Sequence, residues 1–307
     1  MRSTSPPNVM RSPTSPVKLA GAVALLLSGA MSIPGLAAGE LRHREAPRHP
    51  AARAHEAIIG GTAARTGAFA SVALILDLRG QETGQCTGTV VAPSLVLTAG
   101  HCAENIRTGV PNAASGYRVL TGEVSGMPAE RQESTVSAVI VYEGFRRRVD
   151  DGDAALLVLS TPTTAPAIGL AGPDTGASRA GSTATMAGWG KTFFAQRRPT
   201  EELRWADTVV QGDRWCQSSA PPFYASGEIC TIDPPTYATG ACSGDSGGPL
   251  LAPQGPAGQL VEIGIAVHVY GKCSTRRPSV FTRVDRIAAW VDTWIGAYAS
   301  PPPPPAT

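Results

Sequence analysis

Charge is scarce in this 307-residue chain: Asp, Glu, Lys and Arg together make up 16% of it, and the formal net charge is +2. Aromatic residues are scarcer still, at 6%. So low a charge content excludes a disordered polyelectrolyte and a coiled coil, both of which need many more charged positions. The near balance of signs excludes a broad basic face, and with it a nucleic-acid partner. Long apolar runs are missing too. The longest, Leu19–Ala30, covers about twelve residues where a membrane span needs roughly twenty, so no stable membrane span is expected. There is no Cys-x-x-Cys pair, and the only histidine beside a cysteine is His101, so neither a metal nor another cofactor is predicted.

What is present divides the chain. Arg2, Arg11 and Lys18 precede or flank the apolar run, and small residues follow at Gly35, Ala37 and Ala38. A basic start, a short apolar middle and a small-residue exit predict a secretory signal peptide over 1–38, and thus a location outside the cytoplasm, extracellular or periplasmic. Residues 39–57 are rich in Ala, His and Arg without an apolar period, and are expected to form a pro-segment. From Ile58 short β-branched or apolar runs recur: Ser71–Leu78, Thr89–Thr98, Val136–Val141, Ala154–Leu159, Leu260–Val269 and Val280–Val284. Gly, Pro and Ser clusters separate them, the pattern of an all-β barrel or sandwich. One helix is predicted, Asp285–Ile295, where Ile287, Trp290, Val291, Trp294 and Ile295 recur at three- and four-residue spacing. A single domain over 58–297 and a Pro-rich tail over 298–307, extended through Pro301–Pro305, complete the division. Six cysteines (Cys86, Cys102, Cys216, Cys230, Cys242, Cys273) follow the signal, and an even number there implies disulfides, with fifteen pairings open from spacing alone.

Three segments carry chemistry: Leu97-Thr98-Ala99-Gly100-His101-Cys102, Asp151-Gly152-Asp153-Ala154-Ala155-Leu156-Leu157, and Cys242-Ser243-Gly244-Asp245-Ser246-Gly247-Gly248-Pro249-Leu250. Glycines on both sides of a serine let backbone amides crowd a small anionic centre. In this order the segments resemble the catalytic blocks of the chymotrypsin/trypsin family of serine proteases, whose triad is itself a standard worked case of nucleophilic catalysis. Ile58-Ile59-Gly60-Gly61, Ala187-Gly188-Trp189-Gly190 and Pro278-Ser279-Val280-Phe281-Thr282-Arg283-Val284 resemble the family's mature amino terminus, its mid-chain Gly-Trp-Gly and the strand before its final helix. The resemblance spans about residues 58–297.

The resemblance implies a fold of two packed six-stranded antiparallel β-barrels with a C-terminal helix, and a secreted, monomeric endopeptidase with a protein or peptide substrate and a possible protein inhibitor. It implies a His101/Asp153/Ser246 triad and an oxyanion hole from the backbone amides of Gly244 and Ser246. It also implies the bridges Cys86–Cys102, Cys216–Cys230 and Cys242–Cys273. Cleavage before Ile58 would release an ammonium group that pairs with Asp245. Asp150 and Asp151 are rival carboxylates, expected to be solvated loop charges.

Several positions depart from the family pattern. Gly100 stands where Ala is usual, and Val267 where a serine normally supports the triad aspartate. The stretch to Cys273 is one residue longer than usual, and the Gly122–Glu133 region lacks the calcium loop of trypsin-like members. At the base of the specificity pocket the family's basic-selective aspartate is replaced by Gly240, followed by Ala241. With Val269 and Ser279 at the wall, the expected cut falls after small aliphatic residues. Two alternatives stand beside it: a glutamate-specific pocket built from Ser243, His268 and Ser279, and a catalytically weak or dead binding homologue.

Overall fold

The computed structural model describes residues 58–299 apart from 81–82, 123–130, 147–150, 174, 198–199 and 201. The expected signal peptide, pro-segment and Pro301–Pro305 lie outside the described residues, as do Asp150 and most of the Gly122–Glu133 loop. The chain enters along β1 (Thr62–Ala63) and builds β2 (Val72–Asp77), β3 (Gly84–Ala92), β4 (Leu95–Thr98), β5 (Tyr117–Thr121), β6 (Gln132–Val141) and β7 (Ala155–Leu159). These last six close into an antiparallel barrel in the order β2-β3-β4-β7-β6-β5. After β8 (Gly169–Leu170) come β9 (Thr183–Gly188), β10 (Arg204–Val210), β11 (Glu228–Ile232), β12 (Pro249–Gln254), β13 (Gln259–Val269) and β14 (Ser279–Arg283). They run β9-β10-β11-β14-β13-β12, and the β12–β9 pairing closes a second six-stranded barrel. Helices α1 (Gly100–Ala103), α2 (Asp213–Ser219) and α3 (Val284–Ala299) are added to these strands. The two barrels and the C-terminal helix are the expected fold.

The apolar runs become strands for identifiable reasons. The Thr89–Thr98 run is a hairpin, parted at Pro93 and Ser94, because proline cannot donate to the ladder. β4 and β7 are buried along their whole length. One face, with Val96, Ala155, Leu157 and Leu159, fills the first barrel together with Ile75, Val90 and Val119. The other face, with Leu95, Leu97, Leu156 and Val158, packs on Ile265 of β13 and on Val284, Ile287 and Val291 of α3. Burial on both faces explains why these strands are continuously apolar rather than alternating. Each fully buried leucine there contributes about 2 kcal/mol of transfer free energy. Among the described residues no helix is long and apolar enough to cross a membrane.

One core position breaks the apolar rule. Glu262 of β13 is fully buried, and among the described residues neither carboxyl oxygen has a hydrogen-bond partner in good geometry. Burial pushes its carboxyl up to about 8, offset in part by the neighbouring Thr89 hydroxyl of β3. An acid raised in the folded state costs nothing below its ordinary value of 4.5 and destabilises progressively as the pH rises towards 8. The upper bound is about 5 kcal/mol, from 1.36 kcal/mol per unit. Glu262→Gln is therefore expected to match the native chain near pH 4.5 and to exceed it by several kcal/mol near pH 8. Urea unfolding at both pH values measures this, and parallel pH profiles for the two proteins would refute it.

Candidate active site

His101 and Asp153 belong to the first barrel. α1 follows β4 directly, Asp153 lies just before β7, and β4 pairs β7 with Thr98 opposite Ala155. That register brings the two side chains together. His101 Nδ1 lies 2.7 Å from Asp153 Oδ2, and the His101 backbone N–H donates to Oδ1 at 2.8 Å. The carboxylate is 1% exposed and the imidazole 24%. Supports surround the pair. Tyr117 Oη donates to the Cys102 carbonyl at 2.7 Å, Thr282 Oγ1 donates to the Asp153 carbonyl at 3.0 Å, and a Cys86–Cys102 disulfide ties β3 to α1. The sulfurs of Cys86 and Cys102 and the imidazole lie within 4.8 Å of one another. Both sulfurs are spent in the disulfide and Nδ1 faces Asp153, so this grouping has no thiolate to offer a metal.

Ser246 comes from the second barrel, on the turn entering β12. Gly247 N–H donates to the Ala266 carbonyl at 2.7 Å, and Ala266 N–H to the Gly248 carbonyl at 2.8 Å. The turn is also fastened to the first barrel: Thr87 N–H donates to the Ser246 carbonyl at 2.8 Å, and Thr87 Oγ1 to the Gly244 carbonyl at 2.9 Å. Gly247 has φ +82°, and a Cβ there would lie 2.0 Å from Thr98 Oγ1, so only glycine allows this approach. With the Gly244 carbonyl turned to Thr87, the N–H groups of Gly244 and Ser246 donate to no other group among the described residues. Two unspent backbone donors beside a serine suit a developing oxyanion. Thr87 is invisible to motif reasoning, since a threonine after a cysteine is an ordinary strand residue.

The departures have physical readings. A Cβ on Gly100 would meet Phe145 Cδ1 at 2.8 Å and Asp153 Oδ1 at 2.9 Å, so the packing of Phe145 against the carboxylate requires glycine. Val267 packs against apolar neighbours, and the Asp153 carboxylate accepts hydrogen bonds from His101 alone among the described residues. Asp151 is a correction. It is buried rather than solvated, and it pairs with the Arg146 guanidinium.

Of the residues expected at the specificity pocket, Val269 and Ser279 are cross-strand partners, so they share a face. Ala241 N–H donates to Ser279 Oγ at 3.2 Å, which sets that hydroxyl beside buried Gly240. Thr275, which the sequence did not single out, brings Cγ2 within 3.5 Å of where a Gly240 Cβ would stand. His268 is not brought to this face. Strand alternation turns it the other way, edge-on to Tyr270 at 4.5 Å between ring centroids. Ser243 is exposed. The other two disulfides form as Cys216–Cys230 and Cys242–Cys273.

Asp245 is 2% exposed and accepts N–H bonds from Gly190 and Cys242, both at 2.8 Å. Burial pushes its carboxyl up to about 7, against the pull of those two donors. Ile58 is 1% exposed in the same apolar cluster as Ala241, and Ile59 exchanges two hydrogen bonds with Gly240, at 2.8 and 3.1 Å. The start of the domain is thereby zipped to the segment that leads into the Ser246 turn.

The family model for Trypsin matches residues 58–291, and the chain belongs to the trypsin family of serine proteases. It is 33% identical to Serine protease SP24D of Anopheles gambiae over 243 residues, 78% of this chain and 82% of that protein. A Trypsin of Saccharopolyspora erythraea is 26% identical, over 74% of this chain and 93% of its own. Glucanase inhibitor protein 3 of Phytophthora infestans is also 26% identical, over 68% and 77% respectively.

Proposed function

We propose that this chain is a secreted serine endopeptidase that cuts after small aliphatic residues, with Ser246 as nucleophile, His101 as general base and Asp153 as its orienting partner. The observation that carries this reading is the meeting of two half-sites. The His101–Asp153 pair of one barrel and the Ser246 turn of the other are joined through Thr87 and through Cys102, whose sulfur lies 3.8 Å from the Ser246 carbonyl oxygen; among the described residues the Gly244 and Ser246 amides are unspent. Ser246 Oγ attacks the scissile carbonyl as its proton passes to His101 Nε2, and the oxyanion is received by the two amides. Each such donor is worth roughly 3–4 kcal/mol where one has been removed in a related case. Collapse returns the proton to the leaving amine and leaves an acyl-enzyme, which a water activated by His101 then hydrolyses. Asp153 fixes the tautomer and balances the imidazolium. The three disulfides support a location outside the cytoplasm.

The small-residue preference follows from an uncharged base at Gly240 and from Val269, Ser279 and Thr275 crowding the pocket. A substrate ammonium buried there without a partner would cost several kcal/mol. On chromogenic peptides differing only in the residue before the cut, Ala and Val are expected to exceed Arg at least tenfold in kcat/KM. Best turnover after Arg or Glu would overturn the pocket assignment; the glutamate alternative is disfavoured because His268 faces away from Ser279.

A second reading, a catalytically weak binding homologue, is favoured by one observation: Val267 offers Asp153 no hydroxyl, leaving His101 as the carboxylate's sole donor among the described residues. A fluorophosphonate probe separates the two, since it labels Ser246 only where the nucleophile is activated.

A further inference from the structure

The segment 270–277, which follows β13 and brings Thr275 beside Gly240, carries three cations, and each lies over an aromatic ring. Lys272 Nζ is 5.7 Å from the centroid of Phe194, Arg276 Cζ 5.8 Å from that of Tyr237, and Arg277 Cζ 5.8 Å from that of Tyr270. All three are exposed, and none has a carboxylate within ion-pair distance among the described residues, whereas Arg79, Arg146, Arg204 and Arg283 are each so paired. The carboxylate in the Tyr237 turn, Asp233, is taken up by Thr236 Oγ1 and Ala238 N–H. Ring contacts of this kind are worth about 0.5–1 kcal/mol at exposed sites, enough to order a side chain without cancelling its charge.

The backbone beneath is equally fixed. Lys272 and Cys273 both have φ +60°, a conformation that costs a non-glycine residue roughly 1–2 kcal/mol. The Cys242–Cys273 bridge and a Tyr270 Oη bond to the Ala220 carbonyl at 2.8 Å hold the segment in place. The added residue of this stretch is thus accommodated as a strained, pinned loop that presents Lys272.

Its place relative to the site is defined on two sides. Thr275 lies beside Gly240, the expected pocket base, and the loop bearing Phe194 is tied to Ser243 by Lys191 N–H at 2.8 Å. Beyond Ile265, β13 has no β12 partner among the described residues, so Val267 and Val269 lie on a strand edge next to the Ser246 turn, and the chain runs on into Tyr270. An extended peptide that adds to this edge carries the residues before its cut towards Tyr270, Lys272 and Arg277.

We propose that Lys272 and Arg277 form a subsite for acidic side chains two to four residues before the cut, with Arg276 reinforcing the field, so that the substrates are acidic segments interrupted by a small residue. This rests on the endopeptidase reading above. The test uses peptide pairs, Asp/Glu-rich against Ser/Gln-rich before the cut, each made with Ala, Glu, Phe or Arg at the cut itself. The best residue at the cut reports on the pocket; the ratio within a pair reports on the rim. The acidic member is expected to be cut about tenfold faster at low salt, with the advantage lost at about 0.5 M salt, where screening shortens to a few ångströms. Lys272→Glu with Arg277→Glu should reverse the ratio, read within each pair on the same variant. Binding of the same pairs to Ser246→Ala, followed by fluorescence anisotropy, gives the ratio independently of turnover. Equal handling within pairs, an acidic advantage that survives in the double variant, or salt-sensitive binding of a sulfated polysaccharide without any peptide preference would each overturn the proposal.

Discussion

Ser246→Ala is expected to lower kcat by about ten-thousand- to million-fold and to leave the thermal midpoint within a few degrees of the parent. The size follows from the unit behaviour of nucleophile and base. With the hydroxyl gone, His101 has no proton to take and Asp153 no imidazolium to balance, so one loss costs about as much as losing the whole set. The residual activity is what two amide donors and substrate binding supply without covalent catalysis. Stability is spared because the turn is held by main-chain bonds, Ser246 carbonyl to Thr87 N–H and Gly247 N–H to the Ala266 carbonyl, which alanine keeps. The residue is only partly buried, and such a truncation moves stability by a few tenths of a kcal/mol. Steady-state hydrolysis beside calorimetry of the same preparation measures both effects. Near-parental proteolysis by the purified variant would refute the assignment of Ser246.

The strands that sequence reveals are those whose burial makes them continuously apolar. β2, β4, β7, β13 and β14 coincide with apolar runs because their neighbours cover both faces or one long stripe, and β6 does so through its half-buried Ala138–Val141. β10 and β11 are hidden by charges that the fold satisfies. Arg204 opens β10 buried, its guanidinium donating to the Gly61 carbonyl at 2.8 Å, and Glu228 opens β11 buried, accepting the Tyr224 N–H at 2.6 Å. β12 is masked by Pro249 and Pro253 at its two ends. Helix α3 is legible because its apolar residues fall on one face, whereas four-residue α1 and seven-residue α2 are too short for a period to register.

At the site, motif order marks His101, Asp153 and Ser246, and the three disulfides follow the pairing that the resemblance implied. What motifs cannot carry is long-range support. Thr87 reaches across to Gly244 and Ser246, Thr282 to Asp153, and Phe145 to the space beside Gly100, each from a distant strand or loop. Asp151 resembles a solvated charge in sequence because its partner, Arg146, and its cover depend on how the loop folds back. His268 resembles a pocket residue until the bulge between Ala266 and His268 fixes which face it takes. Sequence names the candidate groups; the register decides which groups hold them.

Cutting the chain before Ile58 is expected to raise activity and, at the same time, to change how stability depends on pH, with Asp245→Asn abolishing both effects. In the uncut chain Asp245 is a buried acid pushed from 3.8 up to about 7, chiefly by burial. A raised acid contributes stability that is fully present below pH 3.8 and is lost as the pH rises through 7, by at most about 4 kcal/mol. Gly190 and Cys242 supply two N–H donors to the carboxylate but no positive charge. The ammonium group freed at Ile58 would supply it, since Ile59 is already fastened to Gly240 and Ile58 packs with Ala241. The cut protein should then keep its stability between about pH 4 and pH 7.5, where the uncut protein loses it, and should weaken only as the ammonium deprotonates in the alkaline range. Breaking a buried pair costs about 3–5 kcal/mol, so Asp245→Asn in the cut protein should lower kcat/KM by a hundred- to several-thousand-fold as the Gly244–Ser246 amides lose their register. Ala57 precedes the bond, and a small residue there matches the expected preference of the pocket, so the enzyme is a candidate for its own activator. Mass analysis of the mature amino terminus, thermal unfolding of both forms across pH, and kinetics of Asp245→Asn test the scheme together. Full activity with an amino terminus other than Ile58, or identical pH profiles before and after cutting, would refute the Ile58–Asp245 pairing.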